Sequence, residues 1–163
     1  MWARTAAGRG ALVVPPQYAK RLFLSSSVTA VSVCSAATNE LYDSTILTSL
    51  VLACSLNYWR MPVFGLRRNM DMAAAGGGLL YQMLFSAPQA DEPARSLYSL
   101  SVAACCGCYG ASRYFSFVAR NYNASSAWHV ALHMTGNLGN LMLFDGIAAK
   151  RRAQQQQLTS VSL

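Results

Sequence analysis

The stretch SAWHVALHMTGNLGNLMLF, residues 126–144, carries the two histidines of the chain, His129 and His133, four residues apart in an otherwise apolar run. Asn137 and Asn140 follow at helical intervals. At 100° per residue, these four side chains project within roughly 80° of one another on a helix. Polar groups are expensive where apolar surface surrounds them, so a stripe of imidazoles and amides on such a helix calls for partners or for a function.

Composition sets the surroundings of that helix. Of 163 residues, 53% are hydrophobic and 12% charged, against about a quarter charged in an ordinary soluble domain. The charges gather in short clusters and leave long runs free of them, which is the pattern of a polytopic membrane protein. A soluble all-α protein is the alternative, because Gly and Ala dilute the hydrophobic runs. Five candidate membrane helices emerge, at residues 22–38, 44–59, 70–87, 96–118 and 126–147. The first is rich in Ser and Thr and is the weakest. The fold expected is therefore all-α, a polytopic transmembrane helix bundle of about five helices over residues 22–149. A basic N-terminal segment, 1–21, precedes it, and a polar disordered tail, 150–163, follows with its QQQQ run.

The net charge of +7 would suggest nucleic acid in a soluble protein. Here no basic run is interleaved with aromatics, so no nucleic-acid partner is expected, and the cations read as anchors of helix ends. The loops alternate in sign: NELYD acidic, RMPVFGLRRN basic, PQADEPAR acidic and ARNYN basic. That alternation puts the N-terminus and both basic loops on one side, the cytoplasmic one. The basic tail KRRAQQQQ falls on the opposite side and breaks the pattern. Arg4, Arg9, Lys20 and Arg21 with no acid before Glu40 suit a transit peptide or a positive cytoplasmic flank equally. An endomembrane and a mitochondrial location both stay open. The five cysteines form no disulfide framework, and the CCGC run, 105–108, reads as small packing residues. AAAGGG, 73–78, permits close helix approach.

Few ionisable groups fall inside the expected spans. Ser55 and Asn57 lie near the end of the second span and Asp71 at the head of the third, so the short loop between them brings all three to one membrane face. The same alternation brings His129 and His133 to a similar depth. Imidazoles at i and i+4 can chelate one divalent metal, as in the helical HExxH arrangement, although the Glu of that motif is missing here. The other reading is that the histidines hydrogen-bond across helices and hold the bundle together.

Ser55, Asp71 sixteen residues later, and the H-x3-H of the last helix together resemble the scattered motif of the CREST superfamily of membrane hydrolases. That group includes alkaline ceramidases, progestin and adipoQ receptors, and haemolysin III-like proteins. The resemblance covers a handful of positions. It implies a seven-helix bundle and a three-His Zn²⁺ site near one membrane face, with hydrolysis of a lipid amide or ester. His129 and His133 would then be metal ligands, Asp71 a ligand or general base and Ser55 an oxyanion donor, with Asn137 and Asn140 as support or substrate contacts. The third His of the pattern belongs four residues after the Ser, where this chain has Trp59, and indole does not ligate zinc. The departure implies weakened metal binding, or a fold kept without its catalysis. The competing expectation is a non-enzymatic accessory subunit of a membrane complex, its partners the bilayer and other membrane subunits. In that reading Tyr58, Trp59 and Arg60 form an interfacial belt. A transporter with a histidine relay ranks third.

Overall fold

The computed structural model describes residues 12–161, and the architecture is all-α. Six α-helices run in the order α1 (Pro16–Ser26), α2 (Thr29–Thr38), α3 (Tyr42–Trp59), α4 (Leu66–Tyr81), α5 (Glu92–Phe117) and α6 (Tyr122–Val161). A π-helical turn, Gln82–Ser86, and a 3-10 turn, Ala87–Gln89, extend α4. Local chemistry explains the boundaries. Pro16 opens α1, where a missing N–H costs nothing. The Asp91 side chain caps α5 by accepting from the Ala94 N–H at 3.1 Å, with Pro93 just inside the first turn. Asn121 does the same for α6 through the Ala124 N–H, at 3.0 Å.

The span expected at 22–38 is two helices. Ser25 and Ser26 both donate back to the Leu22 carbonyl, at 3.0 and 2.9 Å, and Ser27 donates to that of Phe23. Back-bonded serines compete with the helical ladder and bend it, so α1 and α2 meet across Ser27 and Val28, both in helical conformation. Counted as one bent segment, the pair brings the total to five, as expected from the sequence. The basic segment also reaches further into the fold than its composition suggested. Val13 donates to the Pro62 carbonyl at 2.8 Å, and Val14, Ala19 and Leu22 pack with Tyr58 and Trp59. Residues 1–11 lie outside the described part.

At the other terminus, the expected disordered tail instead continues α6 through Val161. Ala, Arg, Lys and Gln are strong helix formers, and Lys150 and Arg151 tie the extension down by donating to the Ala90 carbonyl and Gln89 Oε1. Forty residues make α6 about 60 Å long. Among the described residues, no helix is long and apolar enough to cross a membrane. The reason lies in the Ser, Thr, Gly, Asn and His that interrupt every apolar run.

Helix α6 is the spine. It packs most extensively on α5 and also carries α1 and α2, while α3 lies against α1 and α2, and α4 flanks α3. Two apolar clusters close the ends. Val14, Ala19, Leu22, Tyr58 and Trp59 sit where α1 and α6 begin. Ala36, Leu41, Ala94, Tyr98, Leu143, Phe144 and Ile147 sit at the opposite end. Between them the buried residues are largely polar: Ser25, Ser26, Ser32, Ser55, Ser112, Ser125, Ser126 and Asn137.

Charge follows the same axis. Lys20, Arg21, Arg60, Arg67, Arg68, Arg113 and Arg120 lie toward the end where α1, α4 and α6 start, with Asp71 the acid among them. Glu40, Asp43, Asp91, Glu92 and Asp145 lie toward the other, together with Arg95, Lys150, Arg151 and Arg152, which nearly balance them. Among the described residues the one ion pair, Arg95–Glu92, is at the acidic end.

Glycines set the α5–α6 distance. A Cβ on Gly146 would collide with Ala94 and come within 3.0 Å of Asp91 Oδ1, and one on Gly139 would lie 2.8 Å from Ser101 Cβ. A Cβ on Gly136 would meet only Cys105 Sγ, at an ordinary 3.5 Å. Gly146→Ala and Gly139→Ala are therefore expected to destabilise by about 1–3 kcal/mol through overpacking. Gly136→Ala should be neutral or gain about 0.5–1 kcal/mol of helix propensity. Thermal unfolding of the three variants checks this ranking.

Candidate functional site

The inward face of α6 carries the stripe, and its partners come from α1, α2 and α5. His133 Nδ1 lies 2.7 Å from Ser25 Oγ. One turn on, Asn137 Oδ1 accepts from Ser32 Oγ at 2.6 Å, and its Nδ2 donates to Thr29 Oγ1 at 3.3 Å and to the His133 carbonyl at 2.7 Å. His129 Nδ1 is 3.5 Å from Ser112 Oγ, whose own carbonyl accepts from Ser125 Oγ at 2.9 Å. The helices α1–α2 and α6 run parallel here, so Ser25, Thr29 and Ser32, at i, i+4 and i+7, climb in step with His133 and Asn137. Asn140 is half-buried and takes no part in this network.

The imidazole rings stand edge to face, centroids 4.9 Å apart and planes at 88°. Trp59 completes the group, its ring 5.1 Å from that of His129 and at 73° to it. One turn earlier on α3, Ser55 Oγ donates to Asp71 Oδ1 at 2.5 Å, joining α3 to α4. The sequence reading that placed Ser55 beside Asp71, and His129 beside His133, describes these contacts. The structure joins each pair but draws no hydrogen bond between the carboxylate and the imidazoles. What α3 presents to His129 is the indole of Trp59.

The zinc implied by the family resemblance can be tested against this donor set. Both Nδ1 atoms are matched to serine hydroxyls, and such support of the second ring nitrogen is common among metal-bound histidines. The count of donors is what fails. Among the described residues no group of three or more His, Cys, Asp or Glu side chains is placed to hold a metal ion, and a zinc site ordinarily takes three protein ligands and a water. Two imidazoles beside an indole do not fit a resident three-His zinc.

The hydroxyl partners on α1, α2 and α5 were not singled out from the sequence. Their signal was present in the i, i+4, i+7 spacing of Ser25, Thr29 and Ser32, inside a segment whose Ser and Thr content read only as weakness. A side-chain hydrogen bond between packed helices contributes about 0.5–1.5 kcal/mol net. Ser25→Ala is expected to cost about that much, and Asn137→Ala more, because two hydroxyls lose their partner at once. Asn140→Ala should leave stability unchanged. Unfolding midpoints for the three variants decide this, and equal losses at Asn137 and Asn140 would contradict it.

Comparison of the chain with protein-family models, with curated proteins and with solved structures gives no match.

Proposed function

We propose that the protein is a multi-pass integral membrane protein that works without hydrolysis, as an accessory subunit of a membrane complex, its His and Asn stripe serving to hold the bundle together. The observation that carries the membrane reading is an apolar outer surface around a middle layer of buried polar groups. Large apolar side chains face outward along successive turns: Tyr42, Ile46 and Leu50 on α3, Leu97 and Leu100 on α5, Met134 and Leu138 on α6, with Ile46 71% exposed. Between the two apolar clusters the interior holds hydroxyls and amides, Ser32 among them at 0% exposure. Water favours the reverse arrangement. A bilayer favours this one, since its core rewards an apolar exterior and polar groups turn inward to pair. Hydropathy summed along a helix counts the inward polar residues together with the outward apolar ones. Each helix therefore scores low while the face it would show to lipid is apolar.

The non-hydrolytic reading rests on Trp59. Its indole takes the place beside His129 that the CREST pattern gives to a histidine, and the imidazoles are engaged by Ser25 and Ser112. A second reading, a zinc-dependent lipid amide or ester hydrolase, is favoured by one contact, the short Ser55–Asp71 hydrogen bond. In that case Asp71 would orient or deprotonate a water and Ser55 would donate to the developing oxyanion.

Two measurements on the purified chain separate these. The protein is expected to stay with membranes through alkaline carbonate extraction and to require detergent for release; ready solubility without detergent would sink the membrane reading. Metal analysis is expected to find no stoichiometric zinc in the parent and to find it in Trp59→His, which sets a third imidazole beside His129. Stoichiometric zinc in the parent, abolished by His129→Ala and by His133→Ala, would establish the metal site and overturn the non-hydrolytic reading.

A further inference from the structure

The cations at the basic end are held by neutral groups. Arg21 donates to Asn123 Oδ1 at 3.2 Å and to Ser126 Oγ at 3.3 Å, and Arg60 donates to Asn57 Oδ1 at 3.2 Å. The Arg68 guanidinium lies 5.5 Å from the Phe64 ring, and that of Arg113 lies 4.1 Å from Phe117. Among the described residues Arg67 and Arg120 have no carboxylate partner, and the acid at this end, Asp71, is engaged by Ser55. Cations of α1 and of the segments around the α3–α4 and α5–α6 connections thus gather at one end without internal neutralisation. Amides and ring faces hold a guanidinium in place while leaving its charge uncompensated. Exposed aromatic side chains stand among them, Phe64, Tyr114 and Trp128, the residue types that settle at a membrane–water interface.

We infer that this end of the bundle binds the phosphate headgroups of anionic phospholipids, with Arg60, Arg67, Arg68, Arg113 and Arg120 forming the headgroup-binding collar. The inference rests on the membrane reading above and adds a lipid class and an orientation to it. At the other end the carboxylates of Glu40, Asp43, Asp91, Glu92 and Asp145 offset Arg95, Lys150, Arg151 and Arg152, so that end offers no comparable excess of cations. The small spread of each charge, limited by screening over about 8–10 Å in physiological salt, confines the preference to lipids in direct contact with this end.

Trp59 and Trp128 lie at the basic end and report on neighbouring lipid. The full chain is reconstituted into phosphatidylcholine vesicles carrying a trace of dansyl-labelled phosphatidylglycerol or of dansyl-labelled phosphatidylcholine, and tryptophan-sensitised dansyl emission is read. The expected result is a preference for phosphatidylglycerol that declines as salt is raised. It should fall by about five-fold for each cation removed at low salt, both in Arg60→Gln/Arg67→Gln/Arg120→Gln and in the single variant Arg68→Gln. The pair Arg95→Gln/Arg152→Gln, at the other end, should keep the parental preference. Equal emission from the two lipids overturns the inference, as does an equal loss in the control pair, which would assign the preference to net charge alone. Failure of the parent to enter vesicles of either kind overturns the membrane reading itself, and is seen as protein that does not float with lipid.

Discussion

The hydrogen-bonded ladder between the bent α1–α2 segment and α6 fixes the arrangement of everything packed around it. Buried hydroxyls, amides and imidazoles each cost free energy unless paired. In Ser25–His133 and in Thr29 and Ser32 with Asn137, the pairing is met at successive turns of two parallel helices. A shift of either helix by one residue along its axis, or a rotation of 100°, would leave these groups unmatched. The ladder thereby sets both depth and rotation, a specificity that non-directional apolar contacts alone supply poorly. With that register set, Val14, Ala19 and Leu22 meet Tyr58 and Trp59 at one end, and Ala36 and Leu41 meet Leu143, Phe144 and Ile147 at the other.

The opposite side of α6 is held differently. There Gly139 and Gly146 bring the backbone close to Ser101 and Ala94 of α5, and close approach joins the hydrogen bonds of Ser112 with Ser125 and His129 nearer the start of α6. One helix thus presents a polar seam to α1–α2 and, over its later turns, a small-residue seam to α5. Trp59 belongs to the first seam. Its ring packs against that of His129, and it brings an apolar wall to a pair of imidazoles already tied to serines.

Much of this was legible in the chain itself. The stripe on residues 126–144 follows from the helical period, and the proximity of Ser55 to Asp71 follows from a short loop between two antiparallel helices. Other features depend on sums that a linear reading does not make. Ser25, Thr29 and Ser32 lowered the apparent strength of their segment, yet they complete the stripe, because a polar residue counts against a helix only until its partner is known. The bend at Ser27 arises from three hydroxyls turned back on their own helix, which composition does not distinguish from three facing outward. The tail after residue 150 was read by its polarity, whereas its helix propensity and the anchoring of Lys150 and Arg151 on residues 89–90 decide its form. Asn140 shares the stripe's angular position but, among the described residues, makes no hydrogen bond to the hydroxyls on α2, and angle alone does not supply a partner.

The central claim is that paired polar groups between α1–α2 and α6 hold the bundle. A double-mutant cycle on Ser32→Ala and Asn137→Ala, read by reversible unfolding, tests it most directly. A favourable coupling of about 0.5–1.5 kcal/mol between the two sites is expected, because each single change already removes the shared hydrogen bond. Strict additivity, with the double variant losing the sum of the single losses, would contradict it.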